Sequence, residues 1–149
     1  MATYRGENPL SKAIKDDARG VVKQFVGIMK QIGNIAINEA KTNFKRQGFM
    51  NRSVKTWDAR KRKDKNPKIR AILVKSGALR RSIRRISVSN KRVSIGSKGK
   101  AAVYAGVHNY GLKSGRKSAP FTMPKRQFLG PSHTTNKRIV NLIKKKIKK

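Results

Sequence analysis

Between Leu10 and Ile35 the apolar side chains Leu10, Ile14, Ala18, Val21, Phe25, Ile28, Ile32 and Ile35 recur in steps of three and four. That spacing places all of them on one face of an α-helix. The stripe runs on less regularly through Ala36, Ala40 and Phe44, and Gly48 reads as a natural stop. Asn8 followed by Pro9 reads as a start, with Asn8 as N-cap and Pro9 at the first helical position. One long helix over residues 8–48, or two with a bend, is expected, and its apolar face needs a second layer to lie on. Gly20, Gly27 and Gly33 interrupt it at a cost of about 1 kcal/mol each relative to alanine. They mark kinks, mark close helix contacts, or are simply tolerated.

The remaining chain offers that layer in short pieces. Residues 50–69 lack periodicity and read as a basic loop with Trp57 as its one large anchor. In "LVKSGALRRSI" Ser76 can cap a helical turn that carries Leu79 and Ile83. In "RRISVSNKRVSIGS" the pairs Ile86, Val88 and Val93, Ile95 alternate with polar residues, a hairpin pattern with Asn90-Lys91 at the turn. "AAVYAGVHNYG" suits a helix or a strand end, and "GLKSGRKSAP" reads as a loop. "FTMPKRQFLGPS" reads as an extended strand, with Arg126 and Phe128 on one face, Phe128 in the core and Arg126 reaching a carbonyl or a carboxylate such as Asp58. Pro131-Ser132 can then start a last helix over 132–149, with Ile139, Ile143 and Ile147 on one face and Val140 beside them. The expected fold is α+β: a long N-terminal amphipathic helix and a C-terminal helix packed on a small antiparallel sheet in region 70–130. With 149 residues, one domain is the default.

Charge narrows the partners. The net charge is +33, and all six acids (Glu7, Asp16, Asp17, Glu39, Asp58, Asp64) lie in the first 64 residues. Those 64 residues hold 15 lysines and arginines, a balance of +9; residues 65–149 carry +24 without one acid. Self-repulsion on this scale opposes compaction unless an anion offsets it, so nucleic acid or the acidic faces of partner proteins are the expected neighbours. Candidate contacts are Arg80, Arg81, Arg84 and Arg85, then Lys91, Arg92, Lys98 and Lys100, then Lys113, Arg116 and Lys117. Such groups position a phosphate backbone without reading its sequence.

The sequence argues against several other classes. There is no cysteine, hence no disulfide framework and no thiolate metal site. No run approaches the roughly 18 apolar residues of a membrane span, and no signal-peptide pattern opens the chain. The only histidines are His108 and His133, and no HExxH, P-loop or GxSxG pattern occurs. Asp16 and Asp17 are adjacent on a helix and point apart, which does not build the converging carboxylates of a metal nuclease. Neither a catalytic group nor a cofactor or metal is expected, and His108 reads as a hydrogen-bonding core or turn residue.

The order of the small motifs carries more than any one of them. Trp57 and Arg60 precede Leu73, Ser76, Gly77, Leu79, Ser82 and Ile83; Val93, Ile95 and Gly96 follow; then Tyr104, Ala105, His108 and Gly111; then Pro124, Arg126, Phe128, Leu129 and Gly130. This series resembles the virion morphogenesis, or tail completion, family of tailed bacteriophages. The resemblance covers about residues 57–132 and departs from the usual pattern at Gln127, where a proline is common, at Pro131, and in its excess of basic charge. It implies a non-enzymatic structural subunit of the phage neck, made in the host cytoplasm and built into the virion. Such a subunit forms a homo-oligomeric ring, often a hexamer, as a tail terminator or head–tail connector through which genomic DNA passes. Its partners would be other copies of itself and the adjoining neck, connector and tail tube proteins, with non-specific DNA contact as a further option. The other reading open from the residues alone is a non-specific nucleic-acid-binding protein of ribosomal or chromatin-like type.

Overall fold

A computed structural model describes residues 9–60 and 71–147. The expected Asn8 cap and most of the basic run before Ala71 lie outside the described residues. The elements in order are α1 (Pro9–Arg46), β1 (Gly48–Met50), β2 (Val54–Thr56), α2 (Ala78–Ser82), β3 (Ile83–Val88) and β4 (Val93–Ser97). A 3-10 turn at Gly99–Ala101 then leads into α3 (Ala102–Tyr110), β5 (Lys113–Arg116), β6 (Ala119–Thr122) and α4 (His133–Ile147). The fold class is α+β, with a long N-terminal helix, a C-terminal helix and antiparallel strands packed against helices. The described strands form three separate two-stranded ladders, β1-β2, β3-β4 and β5-β6, instead of one sheet.

The 38 residues of α1 form one unbroken helix, about 57 Å long at 1.5 Å per residue. Its C-terminal half is the spine of the fold. It packs against β3 and β4, against α4, and against β1. Gly33 answers one question the sequence left open: a Cβ there would stand 3.0 Å from Val93 Cγ2, so this glycine lets β4 approach the helix closely. Gly20 and Gly27 have nothing within 4 Å of an added Cβ. The helix ends at Gln47, not at Gly48. Gln47 takes the left-handed conformation at φ 55°, and its side-chain amide donates to the Phe44 carbonyl, one of the acceptors a helix end leaves open. The same side chain accepts from the Ile72 N–H, tying in the segment that precedes α2. Gly48 instead opens β1, where a Cβ would meet the Lys55 carbonyl at 2.6 Å.

The core is small and built on three aromatic rings. Phe44 meets Trp57 edge-on at 5.6 Å and Phe128 at 5.0 Å, a geometry that adds about 0.5–1.5 kcal/mol per pair to their burial. Ala40, Leu79, Ile83, Ala101 and Ala105 complete the cluster.

Several local expectations are corrected. The region read as a loop over residues 50–69 holds the turn and the second strand of the β1–β2 hairpin, whose three-residue strands are too short to show alternation. Ser76 does not cap α2 as its N-cap; that position is Gly77, left-handed at φ 70°, while Ser76 Oγ accepts from the Ala78 N–H at 3.3 Å. The β3–β4 turn does fall at Asn90-Lys91, but Asn90 is not left-handed. Ser89 Oγ holds the turn by accepting from the Lys91 and Arg92 N–H groups at 3.3 and 3.1 Å. A bulge between Arg85 and Ser87 breaks the alternation, leaving Ile86 exposed. "AAVYAGVHNYG" is helical, and Gly111 closes it at φ 72° with Lys125 packed so close that a side chain would not fit. "GLKSGRKSAP" contains strand β5 and the start of β6. The strand expected over "FTMPKRQFLGPS" ends at Thr122, and residues 123–130 are irregular.

Candidate functional site

The irregular segment is fixed by side chains instead of a ladder. Asn109 on α3 accepts from the Phe128 and Leu129 N–H groups at 2.9 and 3.0 Å and donates to the Leu129 carbonyl at 3.0 Å. Asn43 on α1 donates to the Phe128 carbonyl at 3.2 Å, and the Trp57 indole donates to the Gln127 carbonyl at 2.8 Å. Phe128 is thereby seated in the core, as expected, although by this clamp and not by strand alternation. Leu129 packs against the same core, and Pro124 is half-buried. Arg126 is buried too, and its guanidinium donates to the Asp58 main-chain carbonyl at 3.2 Å. Ser132 then caps α4 by accepting from the Thr135 N–H at 3.3 Å. Asn51 in the β1–β2 turn accepts from the His133 N–H at 2.8 Å, so the helix start is anchored on both sides.

The motif residues upstream gather elsewhere. Arg60, Leu73, Ser76, Gly77, Leu79, Tyr104 and His108 all line one cavity of about 270 Å3, together with Lys75 and Ala78. Tyr104 and His108 meet edge-on at 6.0 Å. Behind His108 lies Arg126, whose main-chain N–H donates to the His108 carbonyl at 2.8 Å. Burial, and secondly the charge of Arg126, lower the His108 pKa. Burial likewise lowers that of Arg126, with Asp58 opposing and Arg60 adding to the effect. Of the remaining motif residues, Gly96 lies in β4 opposite Arg84, and Gly130 precedes the α4 cap.

The candidate anion contacts are spread over four places. Arg80 and Arg81 sit on α2, with Arg84 and Arg85 directly following on β3. Arg85 turns back onto the helix, donating to the Lys30 carbonyl at 3.1 Å. Lys91 and Arg92 are exposed at the β3–β4 turn, and Lys98 and Lys100 are exposed after β4. Lys113, Arg116 and Lys117 are exposed on the β5–β6 hairpin. One acid is handled differently: Glu39 is only 4% exposed and pairs with Arg46 and with Arg138, the latter at 2.8 Å, joining α1 to α4. No group of three or more metal-ligating side chains occurs among the described residues. Nor is any helix among them long and apolar enough to cross a membrane.

Two apolar faces remain uncovered. The outer half of α1 presents Leu10 at 67% and Ile14 at 61% exposure, with Val21, Val22 and Phe25 also exposed. A second group of exposed apolar side chains lies on α3 and at the outer hairpin: Val103 is 84% and Tyr110 65% exposed, and Leu112 and Phe121 are exposed as well. Sequence reasoning found the α1 stripe but could not say that only its inner half is covered. It missed Asn43, Asn51, Asn109 and Gln47, since a lone amide in a polar sequence carries no periodic signal.

No curated protein and no solved structure matches the chain. The model of the phage virion morphogenesis family matches residues 8–148, from before α1 to beyond α4, and the chain belongs to that family.

Proposed function

We propose that the protein is a non-enzymatic virion subunit that assembles into a ring at the phage neck and completes the tail, as a tail terminator or head–tail connector. The observation that carries this reading is the pair of dissimilar apolar faces. A stripe of five exposed apolar side chains on one helix and a patch on α3 and β5–β6 are more than a solitary subunit leaves to water. A two-stranded hairpin with every strand residue exposed or nearly so is at best marginal by itself. Because the two faces differ, contact between them is heterologous, and a heterologous contact whose rotation closes makes a ring, not a dimer. About 16 residues of helix beyond the packed half give an arm of roughly 24 Å with which to reach a neighbour. A ring leaves an axial opening for DNA. Basic groups on the hairpin and the β3–β4 turn then meet either phosphate along that axis or acidic faces of adjoining neck proteins.

Imaging of the purified full chain by negative-stain microscopy, with mass photometry, tests this reading. Closed rings of uniform mass are expected; a two-fold dimer or a monomer at all concentrations would overturn it. A second reading, non-specific binding of nucleic acid, is favoured by the acid-free +24 of residues 65–149. It predicts affinity for any duplex that falls steeply with salt. Replacing Arg80, Arg81 and Arg84 by alanine should then flatten that slope, and an unchanged slope would point to protein partners.

A further inference from the structure

We propose that β5 of one copy of this chain adds to the open edge of β4 on a second copy, joining the β3–β4 and β5–β6 ladders into one sheet across the interface. The inference rests on the ring reading only in taking a second copy as the partner.

Hydrogen bonds at the two ends of β4 fix which way its backbone points. The Ser89 N–H donates to the Arg92 carbonyl at 2.8 Å, and the Lys98 N–H to the Ser82 carbonyl at 3.1 Å. Arg92 and Lys98 therefore face β3. Alternate residues of an antiparallel pair bond to the partner strand, so Ser94 and Gly96 face β3 as well. Val93, Ile95 and Ser97 turn their N–H and C=O groups the other way. β4 has no strand on that side, and none of those groups has a hydrogen-bond partner among the described residues. A groove of about 240 Å3 runs there, with Ile95, Gly96 and Ser97 in one wall and Ala105, Gly106 and Leu129 among its other lining residues. Three successive strand residues share that wall. A groove along a strand's edge touches successive residues, whereas one on a face touches every second residue.

The outer hairpin carries the matching edge. The Met123 N–H donates to the Leu112 carbonyl at 3.1 Å, which extends the β5–β6 ladder by one bonded pair. By the same alternation Ser114 and Phe121 bond to each other, while Gly115 and Pro120, which stand opposite one another, turn their backbone groups outward. Pro120 thereby removes a donor from the open edge of β6, a device that blunts an edge strand. β5 has no proline. Its Lys113 and Gly115 present N–H and C=O groups at the same two-residue spacing as Ile95 and Ser97 on β4. The hairpin packs chiefly on itself, and a lone two-stranded hairpin is marginal in water, so an added strand is what it lacks. β4 has no charged side chain, so Lys113 and Arg116 meet no like charge directly opposite. A second copy is the occupant because every chain carries both edges, and a heterologous contact that closes satisfies both in each copy. In the ring reading the α1 arm covers a face of the hairpin, which leaves its edge to β4.

Hydrogen–deuterium exchange of the full-length protein, resolved to single residues, tests the pairing. Between dilute monomer and assembled protein, exchange at the Ile95, Ser97, Lys113 and Gly115 amides should slow by about two- to tenfold, as one added net hydrogen bond gives. Ser94 and Gly96, already bonded to β3, should change less. The chain has no cysteine, so Ser94→Cys and Ser114→Cys each carry a single thiol. Mixed and treated with a short bismaleimide, the two variants should give a product linking residues 94 and 114. Lys55→Cys, on the open-edged strand β2, should not link to Ser114→Cys. A product linking 55 to 114 in place of 94 to 114, or Ile95 and Ser97 amides that exchange as fast in assembled protein as in monomer, would overturn the inference. Mass photometry of the same samples separates it from the ring reading. Closed rings with those amides unprotected keep the ring and remove this pairing. Two-fold dimers with them protected keep the pairing and remove the ring. A monomer at every concentration removes both.

Discussion

Replacing Asn109 by alanine removes three hydrogen bonds at once: those from the Phe128 and Leu129 N–H groups at 2.9 and 3.0 Å, and the one to the Leu129 carbonyl at 3.0 Å. Asn109 is 4% exposed, so water does not reach the abandoned groups without local opening. Each buried N–H left unsatisfied costs about 1–3 kcal/mol, and the carbonyl, with two lone pairs, adds less. The expected loss is about 3–5 kcal/mol, a large share of the roughly 5–15 kcal/mol typical of a domain. At about 2–4 °C per kcal/mol for a chain this long, the melting temperature should fall by about 6–20 °C. Urea denaturation followed by Trp57 fluorescence is the direct assay. Trp57 is the single tryptophan, and its indole bonds the same segment at Gln127. The midpoint should drop with the slope unchanged. Measurement at a protein concentration low enough to keep the protein monomeric removes linkage to assembly. Asn136→Ala, at an exposed site on α4, should stay within about 0.5 kcal/mol. If Asn109→Ala loses less than about 1 kcal/mol, the amide clamp is not what holds residues 126–129, and burial of Phe128 must suffice.

Three further outcomes follow from the same contacts. The His108 pKa lies below its ordinary 6.5 in the folded state, so the unfolded chain takes up the proton first. Stability should therefore be full above pH 6.5 and fall as the pH drops toward the folded pKa, by at most about 1.4 kcal/mol per pH unit; His108→Gln should flatten that slope in urea melts between pH 7.5 and 5.5, and an unchanged slope would contradict the assignment. Arg138→Ala should cost about 1 kcal/mol or less, since this side chain is 54% exposed. Removing Arg46 as well strands the buried Glu39 carboxylate and should cost about 3–5 kcal/mol, most of it restored by Glu39→Gln; equal stabilities with and without that third change would refute the ion-pair account. Ile14→Lys with Phe25→Lys should leave monomer stability within about 0.5 kcal/mol yet abolish assembly in mass photometry, whereas intact rings would exclude the α1 arm as a contact.

The helices were the legible part of this fold because their signal is repeated. Eight apolar positions from Leu10 to Ile35 agree on one face of α1, and Ile139 and Ile143 do the same for α4. The β3–β4 hairpin was legible for a similar reason, with Val88 paired to Val93 across the turn. What escaped had too few residues to form a pattern, or was decided by distant partners. Each strand of the β1–β2 hairpin has three residues, and the β5–β6 strands "KSGR" and "APFT" have no alternating apolar face because neither face is buried. Gly48 reads as the helix stop because glycine is the usual left-handed residue, but Gln47 takes that conformation, with its own amide bonding the Phe44 carbonyl. The motif residues were found as a series along the chain. Their division into an aromatic clamp around Phe128 and a cavity around His108 depends on how α1, α2 and α3 are brought together. No spacing within one segment encodes that. The sequence also cannot tell which basic residues stay exposed, and Arg85, turned back onto α1, is the example.

The proposed ring requires copies of this chain to associate through the α1 arm. Cryo-electron microscopy of the purified full-length protein shows whether they do. Expected is a ring with an open axis in which residues 10–25 of each subunit lie against α3 and the β5–β6 hairpin of the next. Particles that are monomeric, or rings in which Leu10, Ile14 and Phe25 remain in solvent, would contradict it.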